Sequence, residues 1–296
     1  MKKALLIGIN YYNTPAKLNG CIDDVVNIRH LLIDAFGFSL ANMVTLRDDT
    51  TNTAILPTKS NILNALKKLV AESATSTEIW VQYSGHGSRV PDANKDELSG
   101  LDNVIVPVDY RTAGFIVDDD LYAILKGAKC KTVLLFDSCH SGTVVDLPWS
   151  FIYQNPGSYR IQKNNNNVLA NNNIFMFSGC RDDQTSADTY SADQQQAVGA
   201  FTNAFISCIR ARNHEVSFFT LYRDICMFLA SKRFSQVPVY SSSTMTPTYI
   251  LSRSTEIAKT VSLVPGLALV PVPITNSSIL SVLPSNKNIL HLKMAK

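Results

Sequence analysis

The sequence predicts an α/β fold: a central, mainly parallel β-sheet with helices on both faces. Short runs rich in β-branched and aromatic residues recur along the chain, and amphipathic stretches separate them, the alternation expected of βαβ units. The 296 residues, 46% of them hydrophobic, are enough to fill a sizeable core under both layers.

The elements follow in order. Lys3–Ile9 is a first buried strand, too brief for the hydrophobic region of a signal peptide. Ile28, Leu31, Leu32 and Ala35 fall at i, i+3, i+4 and i+7, so this segment is a helix with one face on the sheet. Asn42–Leu46 reads as the next strand, and Ile62, Leu66, Leu69 and Val70 mark a second amphipathic helix. Glu78–Ser84 and Thr132–Asp137 are apolar strand runs, with a helix at Asp118–Lys126 between them. Residues 154–173 contain Asn155-Pro156-Gly157 and two asparagine runs, a composition that buries too little to order itself and reads as a loop. A strand at Ile174–Ser178 and helices at Gly199–Ala211 and Phe218–Ser231 follow. The expected organisation is a larger part over 1–153, a junction over 154–173, a smaller part over 174–253 and a tail of unknown role over 254–296.

Composition excludes several function classes. With 17% charged residues and a net charge of +3 there is no basic stripe for nucleic acid. The uncharged stretch Thr260–Ser285 is long enough to span a membrane, but Pro265, Pro271 and Pro273 interrupt it, so no membrane segment is expected. Six cysteines without CxxC pairs argue against a zinc site and a secreted disulfide framework, and for a reducing, cytoplasmic compartment.

Two strand ends carry the chemistry. His86 follows Ile79-Trp80-Val81-Gln82-Tyr83 and lies between Gly85 and Gly87, while Cys139 follows Val133-Leu134-Leu135-Phe136 and precedes His140-Ser141-Gly142. Sites assemble at the carboxyl ends of parallel strands, so neighbouring strands would bring His86 and Cys139 together. A thiol attacks as thiolate, and an imidazole that takes its proton is the usual activation. The backbone N–H groups of Gly87 and Cys139 are the natural donors to an oxyanion. His140 reads as structural support, because adjacent side chains on an extended segment point apart.

Four segments together resemble metacaspase motifs: Asn19-Gly20-Cys21-Ile22-Asp23-Asp24, Tyr83-Ser84-Gly85-His86-Gly87, Asp137-Ser138-Cys139-His140-Ser141-Gly142, and Ser178-Gly179-Cys180-Arg181-Asp182-Asp183-Gln184-Thr185-Ser186-Ala187-Asp188. His86 precedes Cys139 by 53 residues, near the roughly 50 typical of caspases. The resemblance implies a caspase-hemoglobinase fold, a p20-like part carrying the dyad His86 and Cys139, and a p10-like part after the junction. It is closest to the type with a short junction, in which an N-terminal pro-domain is usual, and this sequence starts directly at the first strand. A backbone carbonyl orients the imidazole in such sites, so a third acidic residue is not required.

The resemblance further implies cleavage after Arg or Lys in protein or peptide substrates, with an S1 pocket lined by Cys21, Asp24, Ser84 and Asp137. Two carboxylates there select a cation and reject an acidic residue. Cys21 as a second reactive thiol is the alternative to a pocket wall. Asp102, Asp118-Asp119-Asp120 and Asp146, with Asp92, Asp96 and Glu97 nearby, form an oxygen-rich set that suits calcium. By resemblance the ligands of this activating, non-catalytic ion are Asp102, Asp118, Asp119 and Asp146. The bland reading of Asp118–Asp120 is a helix N-terminus. Arg160 and Lys163 in the junction are basic points for self-cleavage. The resemblance implies a monomer. The competing function is a catalytically silent caspase-fold scaffold that binds basic peptides.

Overall fold

A computed structural model describes residues 1–92, 100–139, 141–155, 158–180 and 199–254. His140, Asp96, Glu97, Arg181–Asp188 and residues 255–296 lie outside the described residues. The elements are β1 (Lys2–Gly8), α1 (Cys21–Phe36), β2 (Met43–Arg47), α2 (Lys59–Glu72), β3 (Glu78–Ser84), β4 (Gly87–Pro91), β5 (Leu101–Ile105), α3 (Tyr110–Ala113), β6 (Ile116–Val117), α4 (Asp118–Leu125) and β7 (Lys131–Asp137). They continue with β8 (Trp149–Asn155), β9 (Ser158–Lys163), β10 (Ile174–Ser178), α5 (Ala200–Ala211), β11 (Val216–Ser217), α6 (Phe218–Ser231), β12 (Val239–Ser242) and β13 (Ile250–Leu251).

Eight strands form the main sheet in the order β2-β1-β3-β7-β10-β12-β8-β9. The run from β2 to β10 is parallel, and every pairing beyond β10 is antiparallel. The sheet is therefore mixed, with the expected parallel half joined to an antiparallel one. All seven residues of β3 are buried, as a central strand covered on both faces requires. Alternate side chains serve opposite cores: Trp80 and Val133 pack with α1, α5 and α6, while Ile79, Val81 and Leu134 pack with α2 and α4.

The junction differs from the expected loop. Ser158–Lys163 forms the edge strand β9, paired antiparallel with β8 in a hairpin. Tyr159 supplies the apolar area that the asparagine-rich composition lacks, stacking on Phe219 at 5.0 Å and standing edge-on to Phe151 at 6.1 Å. Side-chain amides complete the turn back toward β10: Asn164 Nδ2 donates to the Leu147 carbonyl, and Asn165 Nδ2 to the Asp146 carbonyl. Met1–Ile257 is one compact unit, with β7 from the first part and β10 from the second paired directly.

Candidate active site

Strands β3 and β7 are parallel neighbours with Ser84 opposite Asp137. His86 and Cys139 each lie two residues beyond that pair, so the same step off each strand brings both to one end of the sheet. The crossing is tight: a Cβ at Gly87 would stand 1.9 Å from the Cys139 carbonyl oxygen, so only glycine fits. Both His86 and Cys139 remain partly exposed.

The imidazole is oriented by a backbone carbonyl. His86 Nε2 lies 2.6 Å from the Ala16 oxygen, and a carbonyl only accepts, so Nε2 carries the proton and Nδ1 keeps its lone pair. Burial lowers the His86 pKa below its ordinary value, partly opposed by the Ala16 contact, so the ring is neutral near neutral pH. The Val106 N–H donates to the His86 carbonyl at 3.2 Å. Hydrogen-bonded and non-bonded pairs alternate along an antiparallel ladder, which makes Gly87, opposite Ile105, a non-bonded position with its N–H turned away from β5.

An acidic pair sits beside this strand end. Asp24, in the first turn of α1, and Asp137, at the end of β7, are 5% and 3% exposed. Ser84, fully buried, accepts from Gln82 Nε2 at 2.7 Å. Thr202 donates its N–H and its hydroxyl to Asp137 Oδ2 at 2.9 and 2.8 Å. Asp24 Oδ2 is buried and has no hydrogen-bond partner among the described residues. Burial, and next the charge of Asp137, raise the Asp24 pKa. Asp137 is raised by burial and lowered by Thr202. Cys21, completely buried, is raised by burial first and then by the two carboxylates, which makes it a poor nucleophile. The starts of α1 and α5 both face this pair, and their N-terminal dipoles favour negative charge.

The sequence profile of the metacaspase peptidase C14 domain matches residues 2–148. Metacaspase-1B of Aspergillus oryzae is 37% identical over 82% of this chain and 68% of its own length. The chain belongs to the metacaspases. Metacaspase-1 of Kluyveromyces lactis is 35% identical over 82% of the chain, and that of Schizosaccharomyces pombe 34% over 82%. The chain spans 66% and 67% of those two relatives, about two thirds of their length. Among solved structures, a protein of Geobacter sulfurreducens is similar, with a TM-score of 0.56, 26% identity and coverage of 83% of this chain and 95% of that one. Caspase-1 of Spodoptera frugiperda shares the fold, with a TM-score of 0.51, 13% identity and coverage of 82% and 87%. This is a caspase-like cysteine peptidase fold.

The remaining expected residues of this metacaspase lie on neighbouring elements. Asp102 is on β5, and Asp118 opens α4. Asp118 Oδ2 accepts the Asn103 N–H at 2.7 Å and Oδ1 accepts the Asp119 N–H at 3.1 Å, so part of its role is to cap α4. Asp146 holds a left-handed backbone, φ 45°. Asn103 Nδ2 donates to Thr143 Oγ1 at 2.7 Å, tying β5 to the segment after Cys139. The four carboxylates fit calcium in donor chemistry. Among the described residues, however, no three His, Cys, Asp or Glu side chains are gathered to hold an ion. Arg160 and Lys163 are exposed on β9, opposite Ile152 and Trp149. No described helix is long and apolar enough to cross a membrane.

Sequence reasoning missed Thr202 and Ala16. Thr202 had a usable signal, its place in the first turn after Gly199, but its partner is 65 residues away. Ala16 acts through its carbonyl, which no side-chain pattern reveals.

Proposed function

We propose that the chain is a cysteine endopeptidase that cleaves after Arg or Lys. The observation that carries this reading is the buried Asp24–Asp137 pair, with Asp24 Oδ2 lacking a partner among the described residues, next to the strand ends that bear His86 and Cys139. An isolated buried carboxylate is costly, and a guanidinium or ammonium entering between Asp24 and Asp137 offsets that cost. Cys21 and Ser84 wall the same S1 pocket.

In this reading the Cys139 thiol proton passes to His86 Nδ1, and the thiolate attacks the scissile carbonyl carbon. The N–H groups of Gly87 and Cys139 hold the resulting oxyanion. His86 returns the proton to the leaving amine as the C–N bond breaks, leaving a thioester. Water, deprotonated by His86, then hydrolyses the thioester, and the thiol regains its proton.

Asp102, Asp118, Asp119 and Asp146 would hold calcium as an activating ion, with no part in the chemistry. Self-cleavage after Arg160 or Lys163 requires β9 to leave the sheet edge first. The enzyme acts in a reducing, cytoplasmic setting, as a monomer on protein or peptide substrates.

The test is turnover of fluorogenic peptides ending in Arg, Lys or Asp, with and without calcium, by wild type and Cys139→Ala. Turnover of the Arg and Lys peptides that vanishes in the variant supports the reading. Turnover of the Asp peptide alone overturns the specificity, and no turnover under any condition leaves a silent scaffold.

A further inference from the structure

Two buried tyrosine hydroxyls hold the backbone of His86 from both sides. Tyr11 Oη accepts the His86 N–H at 3.0 Å and donates to the Val106 carbonyl at 2.7 Å. Tyr83 Oη donates to the His86 carbonyl at 2.7 Å, and the two hydroxyls lie 3.2 Å apart. A methyl at Gly85 would stand 2.7 Å from Tyr83 Oη and 3.0 Å from Tyr11 Oη, so the pair has room only because Gly85 lacks a side chain.

Tyr11 does more than its partner. Its ring packs on the imidazole, with centroids 4.6 Å apart and planes tilted by 40°. Its backbone is left-handed, φ 51°, a conformation that bulky residues rarely adopt and that surrounding contacts must enforce. Those contacts are present: the Asn10 N–H donates to Asp48 Oδ1 at 2.9 Å, and the Thr14 hydroxyl donates to the Tyr11 carbonyl at 2.8 Å. The same loop delivers the Ala16 carbonyl to Nε2.

We propose that Tyr11 is a positioning residue for His86. Its hydroxyl fixes the histidine peptide and its ring fixes the plane of the imidazole. With Ala16 on the same loop, they leave Nδ1 as the nitrogen offered to Cys139. This rests on the dyad reading above. A misplacement of about 1 Å in a reacting group costs on the order of a hundredfold in rate, which is the selective value of such a clamp.

The experiment compares Tyr11→Phe with wild type, and uses Tyr12→Phe as a hydroxyl deletion on the same loop that does not touch His86. Two quantities are read: kcat and KM on an Arg peptide, and the pH profile of iodoacetamide alkylation at Cys139, followed by mass spectrometry. For Tyr11→Phe we expect kcat to fall about tenfold, the scale of one lost buried hydrogen bond, with KM within about twofold. We also expect its alkylation profile to move toward that of an ordinary thiol, while Tyr12→Phe matches wild type in both. Wild-type kinetics and alkylation in Tyr11→Phe overturn the proposal. So does a fall in kcat with an unmoved alkylation profile, because a merely structural tyrosine changes the amount of folded enzyme and not the reactivity of the thiol. The alkylation arm needs no peptide turnover, so failure of the Arg specificity leaves it readable. If wild-type Cys139 itself alkylates as an ordinary thiol, the dyad reading fails and the proposal falls with it.

Discussion

Asp137 caps helix α5 from across the sheet: one carboxylate oxygen accepts both the N–H and the hydroxyl of Thr202, at 2.9 and 2.8 Å. The position before the helix is Gly199, which offers no side chain, so a residue from β7 meets that need. The carboxylate at the end of β7 and the helix α5 thus depend on one another.

Thr202→Val keeps the N–H and removes the hydroxyl. We expect a loss of about 1 kcal/mol in stability, seen as a fall of roughly 2–4 °C in Tm. KM for an Arg peptide should rise more than kcat falls, because the variant loosens the pocket and leaves the dyad in place. Calorimetry and steady-state kinetics check both.

Asp24→Asn should stabilise the free protein while removing cleavage after Arg. The Asp24 pKa is raised, by burial first and then by Asp137. A carboxyl whose folded pKa exceeds its unfolded value of about 3.9 costs stability as pH rises from that value through the folded pKa. Melting temperatures at pH 5 and pH 8 should fall less steeply in Asp24→Asn than in wild type. A steeper decline in the variant contradicts the assignment.

His86 behaves in the opposite sense. Its folded pKa is lowered by burial, so the neutral ring favours the folded state, and that contribution is lost as pH falls from the unfolded value of about 6.5 through the folded one. The acid limb of kcat/KM for the free enzyme should therefore lie below about 6.5. His86→Ala should lower kcat by roughly 10²- to 10⁴-fold, the usual contribution of a general acid–base, and should leave Arg-peptide binding to the Cys139→Ala background unchanged.

Gly87→Ala tests how closely the two strand ends approach. The new methyl would meet the Cys139 carbonyl at 1.9 Å, so Cys139 must move. Activity should fall by about a hundredfold or more. Far-ultraviolet circular dichroism should remain that of wild type, because the clash lies beyond the last paired residues of β3 and β7.

The parallel half of the fold was legible because its strands are short apolar runs with a helical period between them. Glu78–Ser84 and Ile174–Ser178 appear at the expected bounds, and Phe218–Ser231 is the expected helix. The hairpin of β8 and β9 was not read, although Tyr159 and Ile161 carry a period of two, because the surrounding asparagines dominate the composition. Side chains with a motif, His86, Cys139, Asp24 and Asp137, were expected from sequence, and the structure places Asp24 at the start of α1, Asp137 at the end of β7, and His86 and Cys139 just beyond β3 and β7. Contacts made through a carbonyl or a distant helix start, as with Ala16 and Thr202, leave no local pattern.

The pairing of β7 with β10 has a consequence for how a cut molecule would behave. The backbone between them passes through β9, so scission after Arg160 or Lys163 severs the chain but none of the five residue pairs from Ile174–Thr132 to Ser178–Phe136. Such a nicked enzyme should run as two bands on a denaturing gel and as one particle in gel filtration. Its halves should separate only when the sheet itself is unfolded.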